Sequence, residues 1–546
     1  VEVALDDNEL RELARRLKNC EAETVAVVLL HAYANPDHER RVLETLEQAL
    51  PGVPVSVSSE ISPEFREFER SSTTVLNALL IPVVGNYLRR LEVRLTDAGM
   101  NAPVYMVQSN GGVATPAIAA KQPARLLLSG PSGGAKAAEI IAKRINSPNL
   151  VAVDMGGTSY DVSLVEDGRV HLVSEGEVDG CPVRLPMVEM RSIGAGGGSI
   201  ARTDTIGGMF VGPESAGAEP GPACYGKNGA QPTVTDGNVI LGRIDPAHFL
   251  GGAMALDAEA ARIAVAGKVA KPLGLGVEET AEGIIQVAVA HMASAIRLSL
   301  FEKGLDPEDF SLISFGGAGG LHACETAEEL GIKQVIFPAD PGTLSAWGML
   351  YADITHDLTR ARLMDADASA QSRLLRMVEE LRLEGDALLQ SDGIKASERS
   401  LNFSLDLRYR GQAYEIATPF VDTNDLASAV AKFHDLHMAQ YAHADTSATP
   451  EIVNLRLSAA GLLPKPGGHE PPSGQGAPHD KRWIFVAGMW SDAPVYERAA
   501  LALDDELNGP LIIEEPHSTI IINGSWSVRR VATSELIATQ TNGESS

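Results

Sequence analysis

The chain has 546 residues, more than a single hydrophobic core usually holds, and this length predicts two or three domains. Its apolar fraction of 44% and charged fraction of 21% are those of a globular protein and exclude a disordered, collagen-like or membrane-embedded chain. The formal net charge of −27 is spread along the sequence, which argues against a nucleic-acid partner but not against a local phosphate pocket.

The first part of the chain alternates helices and strands. The predicted elements are, in order, a helix over 6–17, a strand over 24–30, a helix over 37–50, a strand over 53–57, a long helix over 71–96, a strand over 104–108 and a helix over 134–144. Pro82 predicts a kink or a boundary in the long helix. The apolar run 24–34 is about half as long as a membrane span and follows acidic residues, so we expect no membrane segment.

The spacing of the cysteines gives no sign of a disulfide framework or a zinc ribbon. Cys20, Cys181, Cys224 and Cys324 lie far apart and show no C-x-x-C spacing. We therefore expect reduced thiols and a cytoplasmic protein.

The segment 150–173 predicts a three-stranded meander. Val151–Val153 reads as a buried strand, a tight turn follows, and 160–165 reads as the next strand. Asp167-Gly168 is a strong hairpin signal before a third strand over 169–173.

The remaining elements follow the meander in chain order. They are a long glycine- and proline-rich loop over 193–230, a helix over 278–303, a strand over 311–315, a glycine loop over 316–320, a helix over 321–330, a strand over 335–338, a helix over 370–389, strands over 400–409, 413–418, 511–514 and 519–522, and a surface loop or linker over 467–478. Short strands dominate beyond residue 357, which predicts a β-rich C-terminal part.

The turn Asp154-x-Gly156-Gly157-Thr158 is the sharpest chemical signal. Two glycines let several backbone N–H groups point at one phosphate, and Thr158 adds a hydroxyl donor. Asp154, at the end of a strand, is suited to hold Mg²⁺ or to orient an attacking water. The alternative is a strand-to-strand turn that binds no ligand. The adjoining apolar strand and hairpin favour the phosphate-binding interpretation.

The glycine loop Gly316-Gly317-Ala318-Gly319-Gly320 is the second signal. A strand that enters a glycine loop and opens a helix presents unpaired N–H groups to a nucleotide. A dinucleotide-binding G-x-G-x-x-G does not fit, because the third glycine is missing. His322 reads as a helix cap or a packed side chain rather than as a catalyst.

Three further glycine-rich stretches are less specific. The stretch 129–136 resembles a P-loop, but Ala135 stands where the motif requires its last glycine, and Ala137 stands where it requires Ser or Thr. We therefore interpret the stretch as a helix start packed against another backbone. The loops 192–199 and 221–236 supply Ser199 and Asp236 as candidates to contact a substrate or to line the lip of a site, with an ordered surface loop as the equal alternative.

Together these stretches closely resemble the hydantoinase A/oxoprolinase family. The resemblance covers nearly the whole chain, and its motifs are 31–33, 62–64, 108–112, 129–131, the Asp154 turn, both glycine loops and 315–322. It implies α/β lobes of the actin-like ATPase (ribonuclease H-like) fold, ATP with Mg²⁺, and a hydantoinase B-type second subunit. It also implies that Asp154 serves phosphate and metal, with Gly156, Gly157 and Thr158 at the phosphate.

The same resemblance implies that Gly316, Gly317, Gly319 and Gly320 line the nucleotide. It further suggests a division into 1–62 as the remainder of an N-terminal lobe, 63–356 as the ATPase core and 357–546 as a β-rich C-terminal domain. Family members usually carry an earlier D-x-G-G-T turn, which does not occur before His31 in this sequence, so we expect either a fragment or an incomplete ATPase site.

The leading hypothesis is an ATP-dependent hydrolase that phosphorylates a cyclic amide, such as a hydantoin, oxoproline or a lactam, for ring opening. A ketone carboxylase subunit is the second hypothesis. A non-catalytic nucleotide-binding scaffold is the third.

Overall fold

The computed structural model describes residues 4–467, 474 and 476–541, and it contains the predicted alternation of helices and strands. The helices are α1 (Asp7–Asn19), α2 (Asp37–Ala49), α3 (Ser58–Ile61), α4 (Glu67–Asp97), α5 (Pro116–Lys121), α6 (Ser129–Arg144), α7 (Val234–Ile240), α8 (Ala258–Val265), α9 (Lys271–Leu273), α10 (Val277–Phe301), α11 (Ala323–Leu330), α12 (Leu344–Met349), α13 (Gln371–Ser391) and α14 (Leu426–Tyr441).

The strands follow the same chain order. They are β1 (Val25–Val27), β2 (Val55–Val57), β3 (Met106–Val107), β4 (Val113–Ala114), β5 (Leu150–Met155), β6 (Tyr160–Glu166), β7 (Arg169–Val170), β8 (Leu172–Val173), β9 (Gly176–Val178), β10 (Cys181–Val183), β11 (Met187–Val188), β12 (Arg191–Ile193), β13 (Ser199–Thr203), β14 (Met209–Ser215), β15 (Ser311–Phe315), β16 (Gln334–Phe337), β17 (Ile354–Asp365), β18 (Arg399–Arg408), β19 (Ile416–Pro419), β20 (Glu451–Gly461), β21 (Asp480–Val486), β22 (Met489–Glu497), β23 (Glu506–Asn508), β24 (Leu511–Glu515), β25 (Ser518–Ile522), β26 (Trp526–Arg530) and β27 (Leu536–Gln540).

The first of two compact units combines the described residues of Val1–Ser132, Leu172–Val188 and Tyr351–Lys465. Its largest sheet has the strand order β19-β18-β20-β17-β4-β3. Helices α13 and α14 contact this sheet and bury apolar side chains such as Leu374 and Phe433 in the same core. A separate parallel pair, β1 with β2, shares a small apolar core with α1 and α2.

Helix α4 runs unbroken through Pro82, so the predicted boundary at that residue is wrong. Side chains on both sides of the proline are anchored in the unit. Asn77 donates to Ser56 Oγ at 3.0 Å, and Leu88 is buried. This packing outweighs the loss of one backbone hydrogen bond at the proline.

A network of buried charges ties distant segments of the first unit together. The Arg184 guanidinium donates to Glu64, Glu175 and Glu415 at 2.6, 2.7 and 2.8 Å, and its side chain is almost completely buried. Arg456 bonds the other oxygen of Glu64 at 2.7 Å. Such a network is stable only while every charge keeps its partner.

The second unit combines the described residues of Gly133–His171, Glu189–Leu350 and Pro466–Ser546. Its central sheet has the order β12-β6-β5-β15-β16-β27-β26-β23, with β7 also paired to β6. Strands β5, β15 and β16 run parallel, whereas β6 and β27 run antiparallel to their neighbours. Strands β23, β26 and β27 thus complete the central sheet of the second unit, while β21, β22, β24 and β25 form a separate sheet and Tyr351–Lys465 lies in the first unit. The domain boundaries drawn from the sequence stay a prediction.

The predicted meander is confirmed in β5, β6 and β7, but its third strand is shorter than predicted, because Leu172–Val173 forms β8 and pairs with β11. Its tight hairpin forms at Asp167-Gly168, where both residues have positive φ (50° and 69°), the conformation that Asp and Gly tolerate best. Strand β15 also has the predicted bounds, and the predicted glycine loop follows it.

Of two long loops predicted from the sequence, one contains a β-hairpin and the other is largely outside the described residues. The loop over 193–230 is wrong in part, because it contains the antiparallel hairpin of β13 and β14. Ser199–Thr203 has alternating buried and exposed side chains, and the neighbouring glycines obscured that strand pattern. The loop or linker predicted over 467–478 lies mostly outside the described residues.

Among the described residues, α10 is long and apolar enough to cross a membrane by length and composition alone. A core helix passes the same test, and α10 has the burial of a core helix. Ala281, Ile284, Met292 and Ile296 are fully buried in the largest apolar cluster of the second unit. The four cysteines are unpaired, and Cys224 and Cys324 are buried.

Candidate functional site

The edge of the central sheet in the second unit brings the two predicted glycine motifs together. Strands β5 and β15 are parallel, and Asp154 at the end of β5 pairs in register with Phe315 at the end of β15. The carboxyl ends of parallel strands meet at one sheet edge, which is where ligands bind in open α/β sheets. The Asp154 turn and the Gly316–Gly320 loop therefore start side by side.

A second carboxylate, Asp161, lies opposite Asp154 across the β5–β6 hairpin. Burial, and then the charge of Asp161, raises the pKa of Asp154 to about 6, although Ser345 Oγ donates to the Asp154 carboxylate at 3.5 Å and lowers it. Asp161 was not among the site residues predicted from the sequence. The register of the predicted hairpin could have identified it, because that register pairs Asp154 with the residue seven positions later, which is Asp161.

The turn that follows Asp154 has open space above its backbone. A Cβ added to Gly156 or Gly157 would meet nothing within 4 Å, and Thr158 is exposed. Within the described residues, no protein acceptor takes the N–H groups of Gly157 and Thr158. Free backbone donors in a turn with open space over its two glycines suit a phosphate.

The segment around Gly196 supports this turn from beneath. The N–H groups of Gly197 and Gly198 donate to the carbonyls of Gly156 and Gly157 at 3.1 and 2.7 Å. A Cβ on Gly196 would lie 2.5 Å from the Gly157 carbonyl carbon, so only glycine fits. The glycine-rich loop 192–199 thus shapes the turn that follows Asp154.

The structure gives Ser199 and Asp236 roles within these loops. Ser199 Oγ accepts from the Gly196 N–H at 2.8 Å. Asp236 is fully buried and accepts from the backbone N–H groups of Ala223, Cys224 and Thr233. Both side chains hold the backbone that frames the site, and a contact of either with substrate stays a prediction.

The Gly316 loop is fitted tightly against the Asp154 turn. Gly316 has a φ of 82°, and a Cβ there would lie 2.4 Å from Asp154 Oδ1 and from the Met155 carbonyl oxygen. The Ala318 N–H donates to that carbonyl at 3.0 Å. The loop is therefore a fixed wall beside Asp154.

The remaining glycines of the loop divide into packed and open positions. A Cβ on Gly319 would lie 2.7 Å from Ser314 Oγ, and one on Gly320 would lie 2.6 Å from the Thr519 carbonyl oxygen. Gly317 is exposed and lines a cavity. Gly317 is thus the position of this loop that can face a ligand.

His322 is a packed side chain, one of the two interpretations favoured from the sequence. Its Nε2 lies 3.2 Å from the amide nitrogen of Asn238, and it makes no side-chain cap to α11. Burial lowers the pKa of His322. Gly133 and Gly134 of the P-loop-like stretch are also packed, since a Cβ on Gly133 would lie 2.4 Å from the Ser345 carbonyl oxygen and one on Gly134 would lie 2.7 Å from the Phe315 ring.

A cavity of about 680 Å³ opens beside Gly317. Its walls come from the ends of β15 and β16, from residues 244–251 and from the β24–β25 hairpin. Two buried polar atoms on these walls, Ser518 Oγ and Glu515 Oε2, have no hydrogen-bond partner in the described part of the chain. Unpaired buried polar atoms are costly, so a polar ligand that bonds to Glu515 Oε2 and Ser518 Oγ would be bound favourably at this wall.

Glu515 is held by one partner on its other oxygen. Arg498 donates to Glu515 Oε1 at 2.7 Å and to the carbonyls of Phe337 and Ser534 at 2.8 Å each. Burial raises the pKa of Glu515 despite this arginine. The sequence gave no local signal for the cavity, because its walls lie far apart along the chain.

No group of three or more His, Cys, Asp or Glu side chains suited to hold a metal occurs in the described ranges. Mg²⁺ needs fewer protein ligands than zinc or calcium, since it usually keeps several waters and binds through one or two carboxylates together with substrate phosphates. Asp154 and Asp161 supply such a carboxylate pair.

Cys224 is poorly suited to act as a nucleophile, because it is buried and burial raises the pKa of its thiol.

Comparison with known proteins identifies the class. Three family models match the chain: Hydantoinase/oxoprolinase over residues 70–358, its C-terminal domain over 363–532 and its N-terminal region over 1–50. The chain belongs to the hydantoinase/oxoprolinase family, as the motifs predicted.

Named relatives include enzymes with different substrates. The caprolactamase subunit alpha of Pseudomonas jessenii is 35% identical over 537 residues, which are 96% of this chain and 77% of the relative. The acetone carboxylase beta subunit of Xanthobacter autotrophicus is 30% identical over 95% of this chain and 76% of the relative.

A solved structure agrees with this assignment. The crystal structure of the ATP-dependent caprolactamase from Pseudomonas jessenii superimposes with a TM-score of 0.90 at 34% identity, covering 99% of this chain and 80% of that one. The predicted α/β fold class with a β-rich C-terminal part is confirmed.

Proposed function

We propose that this chain is the nucleotide-binding subunit of an enzyme that uses ATP and Mg²⁺ to open a cyclic amide such as a hydantoin, oxoproline or a lactam. The observation that carries the proposal is the Asp154–Asp161 carboxylate pair beside an open glycine turn at the carboxyl edge of the sheet. Its family, and a relative named as a caprolactamase subunit, support this substrate class.

The residues present fit a magnesium nucleotide. The open space over Gly156 and Gly157 leaves room for phosphate oxygens, and the exposed hydroxyl of Thr158 adds a donor. The cavity beside Gly317 has the size and the unpaired polar atoms that a nucleoside needs. Phosphates and nucleoside would thus be held on neighbouring strand ends.

Bound ATP would supply a phosphoryl group to the amide oxygen of the substrate, which makes the ring C–N bond easier for water to break. In the net reaction two waters would be consumed: one adds to the carbonyl carbon as the ring nitrogen leaves as an amine, and the second releases the phosphoryl group from the new carboxyl group as phosphate, while ATP becomes ADP. The N–H groups of Gly157 and Thr158 bind and orient phosphate oxygens during transfer. Asp154, once deprotonated, would hold the magnesium ion, with Asp161 as the neighbouring carboxylate.

A companion subunit of the hydantoinase B type would complete the substrate site. Relatives of this chain are named as subunits, namely caprolactamase subunit alpha and acetone carboxylase beta subunit. We therefore place the acid and base that act on the amide on that companion, and the nucleotide on this chain.

The test is calorimetric binding of MgATP to the chain, alone and with the companion subunit, together with ATP-dependent opening of candidate lactams. Asp154→Ala should abolish turnover and weaken MgATP binding at least about tenfold, because the metal loses a ligand. Asp309→Asn, an exposed carboxylate of the same unit, is the matched control. Unchanged turnover in Asp154→Ala would refute the assignment.

A ketone carboxylase subunit is the second candidate, since one relative is an acetone carboxylase subunit. The same nucleotide site would then activate a ketone rather than an amide. ATP consumption that requires both a ketone and bicarbonate would favour this function. MgATP binding without turnover of either substrate class, with the companion present, would leave a nucleotide-binding scaffold.

A further inference from the structure

The β24–β25 hairpin presents two polar side chains to the cavity beside Gly317. Glu515 and Ser518 lie directly opposite each other in the strand register, on either side of the turn at 516–517, and both line the cavity. The Cβ atoms of such a pair are about 4.5–5.5 Å apart, so the two polar ends can reach neighbouring atoms of one ligand. Only 6% of the Glu515 side chain and 7% of Ser518 are exposed. The pair therefore belongs to the buried wall of the cavity.

Arg498 fixes the orientation of the Glu515 carboxylate. It donates to Glu515 Oε1 at 2.7 Å, and the carbonyls of Phe337 and Ser534 hold the same guanidinium at 2.8 Å each. Glu515 Oε2 and Ser518 Oγ have no hydrogen-bond partner among the described residues. An ionised carboxylate only accepts hydrogen bonds, whereas a serine hydroxyl both donates and accepts. The matching ligand therefore carries a donor beside a second group that donates or accepts.

The pair lies next to the glycine loop that is fitted against the Asp154 turn. A Cβ on Gly317 would lie 3.7 Å from the carbonyl oxygen of His517, the residue before Ser518. In a nucleotide the sugar lies between the phosphates and the base. A nucleotide with its phosphates at the Asp154 turn would thus carry its sugar past the glycine loop and close to this pair.

The rest of the cavity wall suits a base better than a phosphate. Ile244, Phe249 and Leu250 supply apolar surface, which fits the flat faces of a base. The charged side chains on the wall are mostly carboxylates, Asp340 among them, and these repel a phosphate but accept hydrogen bonds from hydroxyl groups. The sugar hydroxyls are therefore the part of a nucleotide that matches the polar pair.

We propose that Glu515 and Ser518 bind the neighbouring 2′- and 3′-hydroxyls of the ribose, and that they make the site selective for ribonucleotides over deoxyribonucleotides. Glu515 Oε2 accepts from one hydroxyl, and Ser518 Oγ bonds the other. Dinucleotide-binding folds use an acidic residue toward the ribose in the same way. This inference rests on the proposed function, since it takes the nucleotide to be bound at this sheet edge.

The test is calorimetric binding of MgATP and of its 2′-deoxy and 3′-deoxy analogues, with the companion subunit present. The wild type should bind one analogue about tenfold more weakly than MgATP, because the buried carboxylate loses its donor, and the other a few-fold more weakly. Glu515→Gln should weaken MgATP binding about tenfold and leave binding of the first analogue nearly unchanged, because that analogue already lacks the bond. Ser518→Ala should do the same, a few-fold, with the second analogue.

Glu497→Gln is the matched control, since it removes the same charge from an exposed side chain that lines the same cavity. It should keep the wild-type selectivity. Unchanged binding of the deoxy analogues also shows that the site of each variant is folded.

Equal affinity of the wild type for MgATP and both analogues would overturn the inference, and so would selectivity that survives in Glu515→Gln. Inosine triphosphate, which lacks the 6-amino group, should show no loss that depends on Glu515; such a loss would place the base at the pair instead of the sugar. A wild type that binds no MgATP would refute the proposed function as well, whereas binding without sugar selectivity would refute this inference alone.

Discussion

The buried carboxylate of Asp154 should lower the stability of the nucleotide-free protein. Its pKa is raised from 3.8 to about 6, so between these values the folded state holds the proton more tightly than the unfolded state does. Stability therefore falls as the pH rises through this window and reaches its lower level above about pH 6. Asp154→Asn lacks the ionisation and should escape this loss.

The magnitude follows from the size of the shift. A shift of about two pKa units corresponds to about 3 kcal/mol at 1.36 kcal/mol per unit. Residual solvent access to Asp154 reduces the effect, and we expect Asp154→Asn to be more stable than wild type by about 2 kcal/mol at pH 7. The variant should at the same time lose MgATP binding, so a gain in stability accompanies a loss of function.

Urea unfolding of both proteins from pH 4 to pH 8, without nucleotide, measures this difference. The gap between variant and wild type should be near zero at pH 4, widen between pH 4 and pH 6, and stay constant above. Asp309→Asn should show no such widening. A variant that is less stable than wild type at pH 7, or a gap that does not change with pH, would refute the reasoning.

Other predictions concern packing around the site and the buried charges. Gly316→Ala should weaken MgATP binding and destabilise the protein by more than Gly274→Ala, measured by calorimetry and urea unfolding, because both have positive φ but only the first adds a clash. Ser518→Ala should leave the nucleotide-free protein as stable or slightly more stable, and it should weaken nucleoside binding a few-fold. Arg184→Met should cost roughly 3–5 kcal/mol, seen as faster limited proteolysis of the first unit, because Glu64, Glu175 and Glu415 each lose a hydrogen bond to this guanidinium. An equal loss in Arg15→Met, whose ion pair is exposed, would contradict that account.

Local signals explain which parts of the site could be predicted. The β5–turn–β6 hairpin and the β15–glycine loop are specified by short runs of sequence, because glycine at Gly316 and Asp-Gly at the second turn allow conformations that other residues resist. Parallel pairing of β5 with β15 then follows from the two apolar strands. These parts were predicted with nearly the bounds observed.

Long-range packing explains what was missed. The cavity wall at Glu515 and Ser518 reaches the glycine loop only through the fold, and no motif marks it. Helix α14 was missed because its buried face carries the polar residues His434 and His437, which blur the apolar period. Their partners, Tyr409 and Gln412, come from another segment.

The last described strand, β27, has a consequence for biosynthesis. It pairs with β16 next to the parallel strands that carry the candidate site, so the sheet lacks this neighbour until the C-terminal residues have left the ribosome. Until then the edge of β16 is open to pairing with other chains, a hazard for aggregation. Deleting Leu536–Gln540 should therefore yield insoluble protein rather than a folded chain with weaker MgATP binding.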